Sequence, residues 1–464
     1  MLEKKLLKKV LDTALSTSAD FAEIFIEDKF TTNASLNSSK VQNVNNAKKF
    51  GIGVRVAKGY RRVYGYTNSS AEKDLVKLAD DLAQSFPGES ANITFEIGEL
   101  EVGTLHQPKI LPSKVTIAEK VSLLRRADKA ARDYNEEIKQ VNVRYEDYVQ
   151  NVWIVNSKGT YIKDTRVRTR LGIAAVAMND ETKQTGFYGP GGTHGFEFYS
   201  EVINVEDAAK EAARVGIAML HADECPSGKF PVVIDNGFGG VIFHEAVGHS
   251  LEATSVAIGA SVFTGKKGEL IANPLISAVD DGTISHAWGS ATFDDEGNKQ
   301  IRRQLIKDGV LTSYMIDDLN AKRMGEEGTH SGRRESYRYA PTSRMTNTYI
   351  DNGESTFDEI IAATEFGLYA KKMGGGSVNP ATGDFNFSVG EGYMIRNGKI
   401  AEAVRGASLV GTGKEALLKV DMIANNLKRE QGMCGSESGS IPTDVGQPTI
   451  RVAEITVGGR GGTI

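Results

Sequence analysis

The first half of the chain alternates between two hydrophobic periods, which predicts helices and antiparallel strands in turn. Apolar residues recur every three or four positions, as in amphipathic helices, over residues 1–18, 70–86, 117–134 and 205–222. They recur at every second position, as in half-buried strands, over residues 21–28, 40–44, 51–57, 139–156, 161–178 and 184–188. A linker is expected at about 87–113 and a loop at 189–192, where proline and glycine interrupt both periods.

Strands dominate the pattern from about residue 229 onwards. They are predicted at 230–235, 284–293, 301–307, 310–316, 344–351, 384–397, 400–408 and 448–457. Helices are predicted at 240–253, 317–325, 355–363 and 413–427. Glycine supplies 50 residues, about 11 per cent of the chain against a usual 7 per cent, and its excess in this half favours short strands and tight turns.

These elements predict an α+β protein with two domains. Residues 1–226 are expected to form a helix-and-antiparallel-sheet domain, in which two subdomains, 1–105 and 110–226, are suspected. Residues 227–464 are expected to form a β-rich domain whose strongly twisted or barrel-like sheet carries the helix at 240–253. A chain of 464 residues is long for a single core, which supports this division.

Composition narrows the range of functions. The formal net charge is −5 and the pI about 5.9, so there is no basic field of the kind that binds nucleic acid. No apolar run reaches the roughly 18 residues of a membrane span, and the first residues do not form a secretory signal. Two cysteines, far apart, suit a reducing compartment. We therefore expect a cytoplasmic protein that binds neither nucleic acid nor membrane.

Two histidines and a glutamate lie within six residues, in the run His244-Glu245-Ala246-Val247-Gly248-His249. Neutral imidazoles are common zinc ligands, and a neighbouring glutamate can act as general base for a metal-bound water. A spacing of five residues sets the two rings about 140° apart on an ideal helix. A single-turn π-bulge would align them, and Gly248 is a plausible place for it because glycine tolerates unusual backbone angles. The pattern predicts a bulged or broken helix between Glu245 and His249.

The motif alone leaves open whether the histidines bind a metal. A chance match and local hydrogen bonding are the alternatives. A catalytic zinc usually takes three protein ligands, so a third is needed. Cys434, in a glycine-flanked loop, and Glu252, which falls between the two histidines around a helix, are the candidates; Glu252 could instead orient one of the rings. The alternative for Cys434 is a buried small hydrophobic residue.

Several separate blocks of the sequence resemble, in order, the TldD/PmbA family of metallopeptidases and suspected gyrase modulators. The blocks are Pro231–Ile234, Gly237–Gly240, His244–Glu252, Asp280–Thr283, Asp294–Gly297, Gly332–Tyr337, Arg344–Thr348, Gly432–Gly435, Val445–Thr449 and Val457–Gly459. The resemblance covers nearly the whole chain and is strongest from about residue 231. Such a series is far more specific than the histidine motif alone.

The resemblance implies a role for each residue of the motif. It implies zinc bound by His244, His249 and Cys434, with Glu245 as the general base. Because the PmbA (TldE) branch typically lacks these groups, the chain resembles the catalytic TldD branch. The resemblance also implies a dimer, either of two identical chains or with a PmbA/TldE-type paralogue, and short or unfolded peptides as substrates.

Peptide hydrolysis would need a second group, besides zinc, to stabilise the oxyanion. Arg333, Arg334, Tyr337 and His330 share one loop rich in hydrogen-bond donors and are the candidates for substrate binding. A solvated surface or a structural salt bridge is the commoner role for any one of these arginines.

Three functions fit these observations. The first is a zinc-dependent peptidase in which Glu245 assists the attack of zinc-bound water on a peptide carbonyl. The second is a non-catalytic zinc-binding scaffold or regulatory protein. The third is a zinc hydrolase of another amide or ester. The presence of Glu245 beside three potential ligands speaks against the scaffold, since a structural zinc would be closed by four protein ligands.

Overall fold

A computed structural model describes residues 2–105, 107–379 and 382–463. It is a mixed α+β fold, which confirms the predicted fold class. The expected linker at 87–113 contains mostly irregular backbone, and His106 within it lies outside the described residues. None of the helices in the described ranges combines the length and the apolar character needed to cross a membrane.

One mainly antiparallel sheet, with helices packed against it, forms the described part of the N-terminal half. Its elements are α1 (Lys4–Ala14), β1 (Phe21–Asn37), β2 (Lys40–Lys58), β3 (Arg61–Thr67), α2 (Glu72–Ala83), β4 (Glu101–Val102), α3 (Ile117–Arg132), β5 (Ile138–Asn156), β6 (Tyr161–Met178), β7 (Lys183–Tyr188), β8 (Gly191–Gly192) and α4 (Val205–Leu220). The strand order is β3-β2-β1-β5-β6-β4, with β7 and β8 also paired to β6. Since β1 pairs with β5, the segments 1–105 and 110–226 share one sheet.

The helices cover one face of this sheet. Alternate residues of β1 separate the two faces: Ile24 packs in the core that contains α1, whereas Phe25 packs in a second cluster with Phe293 of the C-terminal half. A Thr116–Glu119 capping box begins α3, which packs with α4 over β5 and β6. The face opposite the helices is therefore available to contact the C-terminal half.

Buried ion pairs form part of that contact. Arg55 on β2 bonds to Glu23 on β1 and to Glu296 of the C-terminal half, both at 2.6 Å. Arg334 of the C-terminal half bonds to the same Glu23 at 2.6 Å. These side chains are almost fully buried, so removing one partner would leave an uncompensated buried charge.

Short strands and short helices make up the C-terminal half. Its elements are β9 (Asp223–Glu224), β10 (Gly228–Ile234), α5 (Val241–Phe243), α6 (Ala253–Val256), β11 (Ala278–Asp281), β12 (Arg302–Lys307), β13 (Val310–Leu311), α7 (Asp318–Met324), β14 (Gly332–Arg333), β15 (Thr342–Ser343), β16 (Asn347–Ile350), α8 (Phe357–Ala362), β17 (Phe366–Val378), β18 (Asp384–Arg396), β19 (Lys399–Arg405), β20 (Ser408–Thr412), α9 (Gly413–Leu418), β21 (Val420–Ile423), β22 (Lys428–Ser436), β23 (Gly439–Gln447) and β24 (Ile450–Gly458).

Five of these strands close into a barrel in the order β17-β10-β24-β20-β18, because β17 and β18 pair with each other. A second sheet, β13-β12-β11-β16-β23-β22, lies beside the barrel. Both sheets contribute to one hydrophobic core, which also contains Phe243 and Val247 of the histidine motif. The barrel-like sheet expected from the sequence is confirmed, and the motif lies between the barrel and the second sheet.

The strand predicted at 310–316 spans only Val310–Leu311, and the loop predicted at 189–192 includes β8. Two further predicted elements are wrong. Residues 284–293 form no strand, because side chains rather than a neighbouring strand bond their backbone: Arg168 donates to the carbonyls of Trp288 and Ser290, and Asp444 accepts from the Trp288 amide. The helix predicted at 413–427 ends at Leu418, and the next residues form β21, which pairs with β24. In both places tertiary contacts override the local pattern.

Candidate metal centre

The histidine motif lies on an irregular helix. A 3-10 turn over Gly237–Gly240 leads into α5, a π-turn spans His244–Gly248, and a second 3-10 turn follows over His249–Leu251. The predicted π-distortion is confirmed. The reason proposed for Gly248 is wrong, since its φ of −53° is ordinary helical backbone. Its role is steric, because a Cβ at this position would lie 2.4 Å from the Met345 sulfur.

The π-turn brings both imidazoles to one point. The His244 and His249 ring centroids are 5.2 Å apart and the rings are nearly perpendicular, at 84°. Cys434, on β22, lies between them: its Sγ is 3.2 Å from His244 Nε2 and 3.3 Å from His249 Nε2. The three side-chain ligand atoms all lie within 4.8 Å of one another.

These three atoms fit a zinc ion. Zinc–nitrogen and zinc–sulfur bonds of about 2.0–2.1 and 2.3 Å at tetrahedral angles separate a nitrogen from a sulfur ligand by about 3.5 Å. The two nitrogen–sulfur distances at Cys434 are close to that value. Two imidazoles and a thiolate also form a donor set that zinc commonly takes. A fourth position would remain for a non-protein ligand.

The hydrogen bonds around the centre orient its side chains. Glu252 Oε2 lies 3.2 Å from His249 Nδ1, the ring nitrogen opposite the one that faces Cys434. This contact favours the His249 tautomer with its Nε2 lone pair directed at a metal. Glu252 is therefore placed to orient a ligand, while Cys434 supplies the third ligand atom of the cluster.

Electrostatics favours the ligand state of Cys434. Burial raises the pKa of this thiol, but the charges of and hydrogen bonds from His244 and His249 outweigh burial and lower the pKa well below its usual value of 9.0. Burial lowers the pKa of His249, but Glu252 and Cys434 raise it well above 6.5. The site thus stabilises a thiolate next to a positive charge, which a metal cation would replace.

Glu245 lies beside the centre. Its side chain is partly exposed, and Oε2 is 3.7 Å from His249 Nε2. The carboxylate is therefore close to the three candidate ligand atoms. From this position it could accept a proton from a group held at the centre. Glu252, by contrast, is buried and is engaged on the far side of the ring.

Arg344 supports Cys434, a role that the sequence did not predict. This arginine is fully buried and donates from Nη2 to the Cys434 carbonyl at 2.5 Å and from Nη1 to the Gly439 carbonyl at 2.9 Å. It therefore holds the β22–β23 hairpin, which delivers the sulfur. A lone arginine within a polar run, Arg344-Met345-Thr346-Asn347-Thr348, gives no signal of this role without knowing the hairpin's position.

Comparisons with known proteins identify the family of the chain. Three family models match the chain: PmbA/TldA metallopeptidase domain 1 over residues 22–85, the central domain over 110–220 and the C-terminal domain over 227–459. A metalloprotease TldD homolog of Haemophilus influenzae is 38% identical over 88% of this chain and 86% of its own length. The chain belongs to the TldD/PmbA family.

Further relatives span almost the whole chain. A metalloprotease of Methanocaldococcus jannaschii is 31% identical over 97% of this chain and 99% of its own length. Among solved structures, TldE from Thermococcus kodakarensis has a TM-score of 0.77 and 16% identity, covering 97% of this chain and 99% of its own. A Thermotoga maritima protein described as a suspected modulator of a DNA gyrase has a TM-score of 0.81 and 21% identity, covering 98% and 100%. These two structures show the shared fold.

Three of the four loop residues expected to bind substrate make structural contacts within this family fold. Arg334 is buried, bonded to Glu23 and stacked 4.3 Å from the Phe25 ring centroid. Tyr337 is buried against β2, and its backbone amide donates to Glu27. His330 is bonded through Nδ1 to the Lys299 carbonyl at 2.6 Å.

Arg333, the fourth of these loop residues, bonds to residues that adjoin the metal centre. It donates to the Met345 carbonyl and, at 2.9 Å, to the Pro442 carbonyl. Met345 contacts Gly248 of the motif, and Pro442 pairs with Met433, the residue before Cys434. Of these four residues, Arg333 is the one that we retain as a candidate for contact with a bound peptide.

Proposed function

We propose that this protein is a zinc-dependent peptidase that hydrolyses peptide bonds in short or unfolded peptides. The observation that carries the proposal is the convergence of His244, His249 and Cys434 on one point, with the Glu245 carboxylate beside it. The metalloprotease names of the relatives support the same reaction class. The proposal goes beyond the reaction class in three respects: the metal is zinc, Glu245 is catalytic and the substrate is a peptide that is short or unfolded.

Each side chain would have a distinct task. When bound, zinc would supply a Lewis acid that lowers the pKa of water to about 7 and polarises a carbonyl. Glu245 would accept the proton of the attacking water at its carboxylate and deliver it to the leaving amine nitrogen. Glu252 would hold the His249 ring through Nδ1. Arg344 would keep Cys434 in place through its carbonyl.

A purely structural zinc fits the centre less well. Structural zinc sites are closed by four protein ligands, and the cluster contains three among the described residues. In the described parts of the chain, the partly exposed Glu245 carboxylate has no hydrogen-bond or ion-pair partner other than His249, at 3.7 Å. These two features favour a reaction over a scaffold function.

We also propose that the protein acts in the cytoplasm as a dimer, with either a second copy of itself or a TldE-type chain. The likeness of its fold to TldE from Thermococcus kodakarensis makes such a paired assembly plausible. Light scattering of the chain, alone and co-expressed with a TldE-type paralogue, tests this part of the proposal separately from its chemistry.

Cleavage of unstructured peptides tests the function directly. The zinc-loaded protein should cut some members of a mixed peptide panel, and a chelator should abolish cleavage that added zinc restores. Glu245→Gln should bind zinc with unchanged stoichiometry and cut none of them. Ester and non-peptide amide substrates belong in the same panel, because turnover of these alone would replace the peptidase with another hydrolase. Full activity of Glu245→Gln would remove this residue from the mechanism.

A further inference from the structure

A cavity of about 160 Å³ lies between the N-terminal sheet and the C-terminal half, and arginines line much of it. Three of them, Arg166, Arg168 and Arg170, occupy alternate positions of β6 and therefore share one face of the strand. Arg333 lines the cavity from the C-terminal half. An Arg-x-Arg-x-Arg run in a predicted strand is the sequence signal for this arrangement.

Three of these arginines lack a carboxylate partner. Arg168 donates to the carbonyls of Trp288 and Ser290 and to a tyrosine hydroxyl. Arg170 donates from Nε and Nη2 to the Gly189 and Gln431 carbonyls, and Arg333 to two further carbonyls. None of the three forms an ion pair within 4.0 Å in the described parts of the chain. Neutral oxygens orient these guanidinium groups without neutralising them.

The positive charge is buried as well as unpaired. Arg168 is 2% exposed and Arg333 7% exposed. Burial lowers the pKa of Arg333 to about 9; Asp295 opposes this, while Arg168, Arg344 and Arg166 add to it by repulsion. Burying charge without a counterion is costly, so a cavity of this kind favours an anion.

Most of the acidic residues that line the cavity accept hydrogen bonds from groups other than these three guanidinium groups. Asp295 bonds to Arg166 at 2.7 Å and accepts the Arg334 amide at 2.8 Å. Asp294 accepts from the backbone amides of its own turn. Glu146, which also lines the cavity, is exposed. Glu335, another lining residue, is half-buried and accepts the Ser440 amide. Burial lowers the pKa of Arg170, and the charges of Glu146, Asp444 and Glu430 raise it. These carboxylates form no ion pair within 4.0 Å with Arg168, Arg170 or Arg333 in the described parts of the chain, so they neutralise the cluster only in part.

The cavity reaches the hairpin that supplies the metal-binding sulfur. Met433, Ile441 and Pro442 are among its lining residues. Met433 directly precedes Cys434, and Ile441 pairs with Cys434 across the hairpin. Because these two residues line the cavity, its wall lies roughly 4–6 Å from the Cys434 backbone. A group bound in the cavity would therefore lie beside the hairpin that carries Cys434.

We propose that this arginine cavity binds a carboxylate group of the peptide substrate, either its C-terminal carboxylate or an acidic side chain. The proposal rests on the proposed peptidase function, in which a peptide occupies the neighbouring centre. Guanidinium groups match a carboxylate with paired, charge-assisted hydrogen bonds. Arg170 Nη1 has no acceptor among the described residues and is a donor for such a bond. The volume equals that of about five waters, enough for a carboxylate and part of its residue.

Binding can be measured without turnover. The chain has two tryptophans, and Trp288 lines the cavity, so a Trp153→Phe background makes its fluorescence a local reporter. The probes are N-acetylated tetra-alanine with a free C-terminal carboxylate, its C-terminal amide, the amide form with one aspartate, and inorganic phosphate. We expect one of the two carboxylate peptides to bind at least tenfold more tightly than the neutral amide. The better binder identifies the source of the carboxylate.

Variants test the arginines themselves. Arg170→Gln, at a half-buried position, should weaken carboxylate binding about tenfold and leave amide binding unchanged. Arg168→Gln should act in the same direction, provided that circular dichroism shows it to be folded. Arg214→Gln is the control, because it removes a half-buried arginine that is ion-paired to Glu211 and Glu391 away from the cavity. Equal loss in the control would mean that the effect is not local.

Cleavage provides the second readout. In Arg170→Gln, kcat/KM should fall about tenfold for the carboxylate peptide through KM and should not change for the amide. Equal binding of the carboxylate and amide peptides by the wild-type protein would overturn the proposal, as would binding of phosphate alone. Absence of any cleavage, with carboxylate binding intact, would overturn the proposed peptidase function and leave the anion site standing.

Discussion

Cys434 Sγ lies 3.2 Å from Nε2 of His244, although 190 residues separate them along the chain. The contact joins the beginning of the C-terminal half to a hairpin near its end. Because a metal held between these residues would bind the folded arrangement in preference to the unfolded chain, zinc should stabilise this half.

Replacing the cysteine ligand should release zinc. Cys434→Ser should lower the zinc content well below one ion per chain, measured by inductively coupled plasma mass spectrometry after dialysis. Cys225→Ser is the matched control, because Cys225 is equally buried but lies outside the cluster, and it should keep full occupancy. Stoichiometric, tightly bound zinc in Cys434→Ser would point to another third ligand, with Glu252 the first to consider.

Glu252 should tune the affinity for zinc without being a ligand. Glu252→Gln keeps a group that can accept a hydrogen bond from His249 but removes the charge, so we expect zinc affinity to fall about 10–100-fold. Competition with a chromophoric chelator measures this change. Glu269→Gln, on the exposed surface, serves as the control. An unchanged affinity in Glu252→Gln would show that packing alone orients the ring.

The two cysteines should react at different pH. A thiol reacts as its thiolate, so its alkylation rate rises with pH through its pKa and then levels off. In the metal-free protein, Cys434 should reach half-maximal rate well below pH 9 because the neighbouring histidines lower its pKa. Burial raises the pKa of Cys225 to about 11, so this thiol should react only in alkali.

Mass spectrometry after iodoacetamide treatment follows both sites in one sample. Zinc should protect Cys434 and leave Cys225 unaffected. Identical pH profiles for the two cysteines would contradict the electrostatic description of the centre.

The start of the motif helix should tolerate no side chain at Gly240. A Cβ there would lie 2.4 Å from the Gly446 carbonyl oxygen on β23, and neither backbone can move without disturbing the centre. Gly240→Ala should reduce the free energy of unfolding by about 1–3 kcal/mol in urea titrations. Gly375→Ala, where nothing lies within 4 Å, should change it by less than about 0.5 kcal/mol. Equal stability of the two variants would show that β23 does not constrain the helix.

Sequence patterns predicted the regular parts of the fold well. Strand β6 matches its predicted range of 161–178, and β5 begins one residue earlier than predicted, because stretches of alternating apolar residues within each segment mark half-buried strands. The π-turn at His244–Gly248 followed from the five-residue spacing of the histidines. In each case the signal was contained in a short segment.

Features that depend on distant contacts were not predicted. Strands β22 and β23 were not predicted, because β22, Lys428–Ser436, is mostly polar. Nine residue pairs with β23 stabilise β22. The loop at 284–293 was taken for a strand because Arg168, whose guanidinium bonds its backbone, lies more than a hundred residues away. The burial of Arg334 likewise depends on Glu23, which lies 311 residues earlier in the chain.

Anomalous diffraction at the zinc absorption edge, from crystals of the zinc-loaded protein, tests the central claim most directly. We predict a single strong peak about 2.0–2.1 Å from Nε2 of His244 and of His249 and about 2.3 Å from the Cys434 sulfur. A fully ordered centre without a peak, or a peak bound by other residues, would contradict the account.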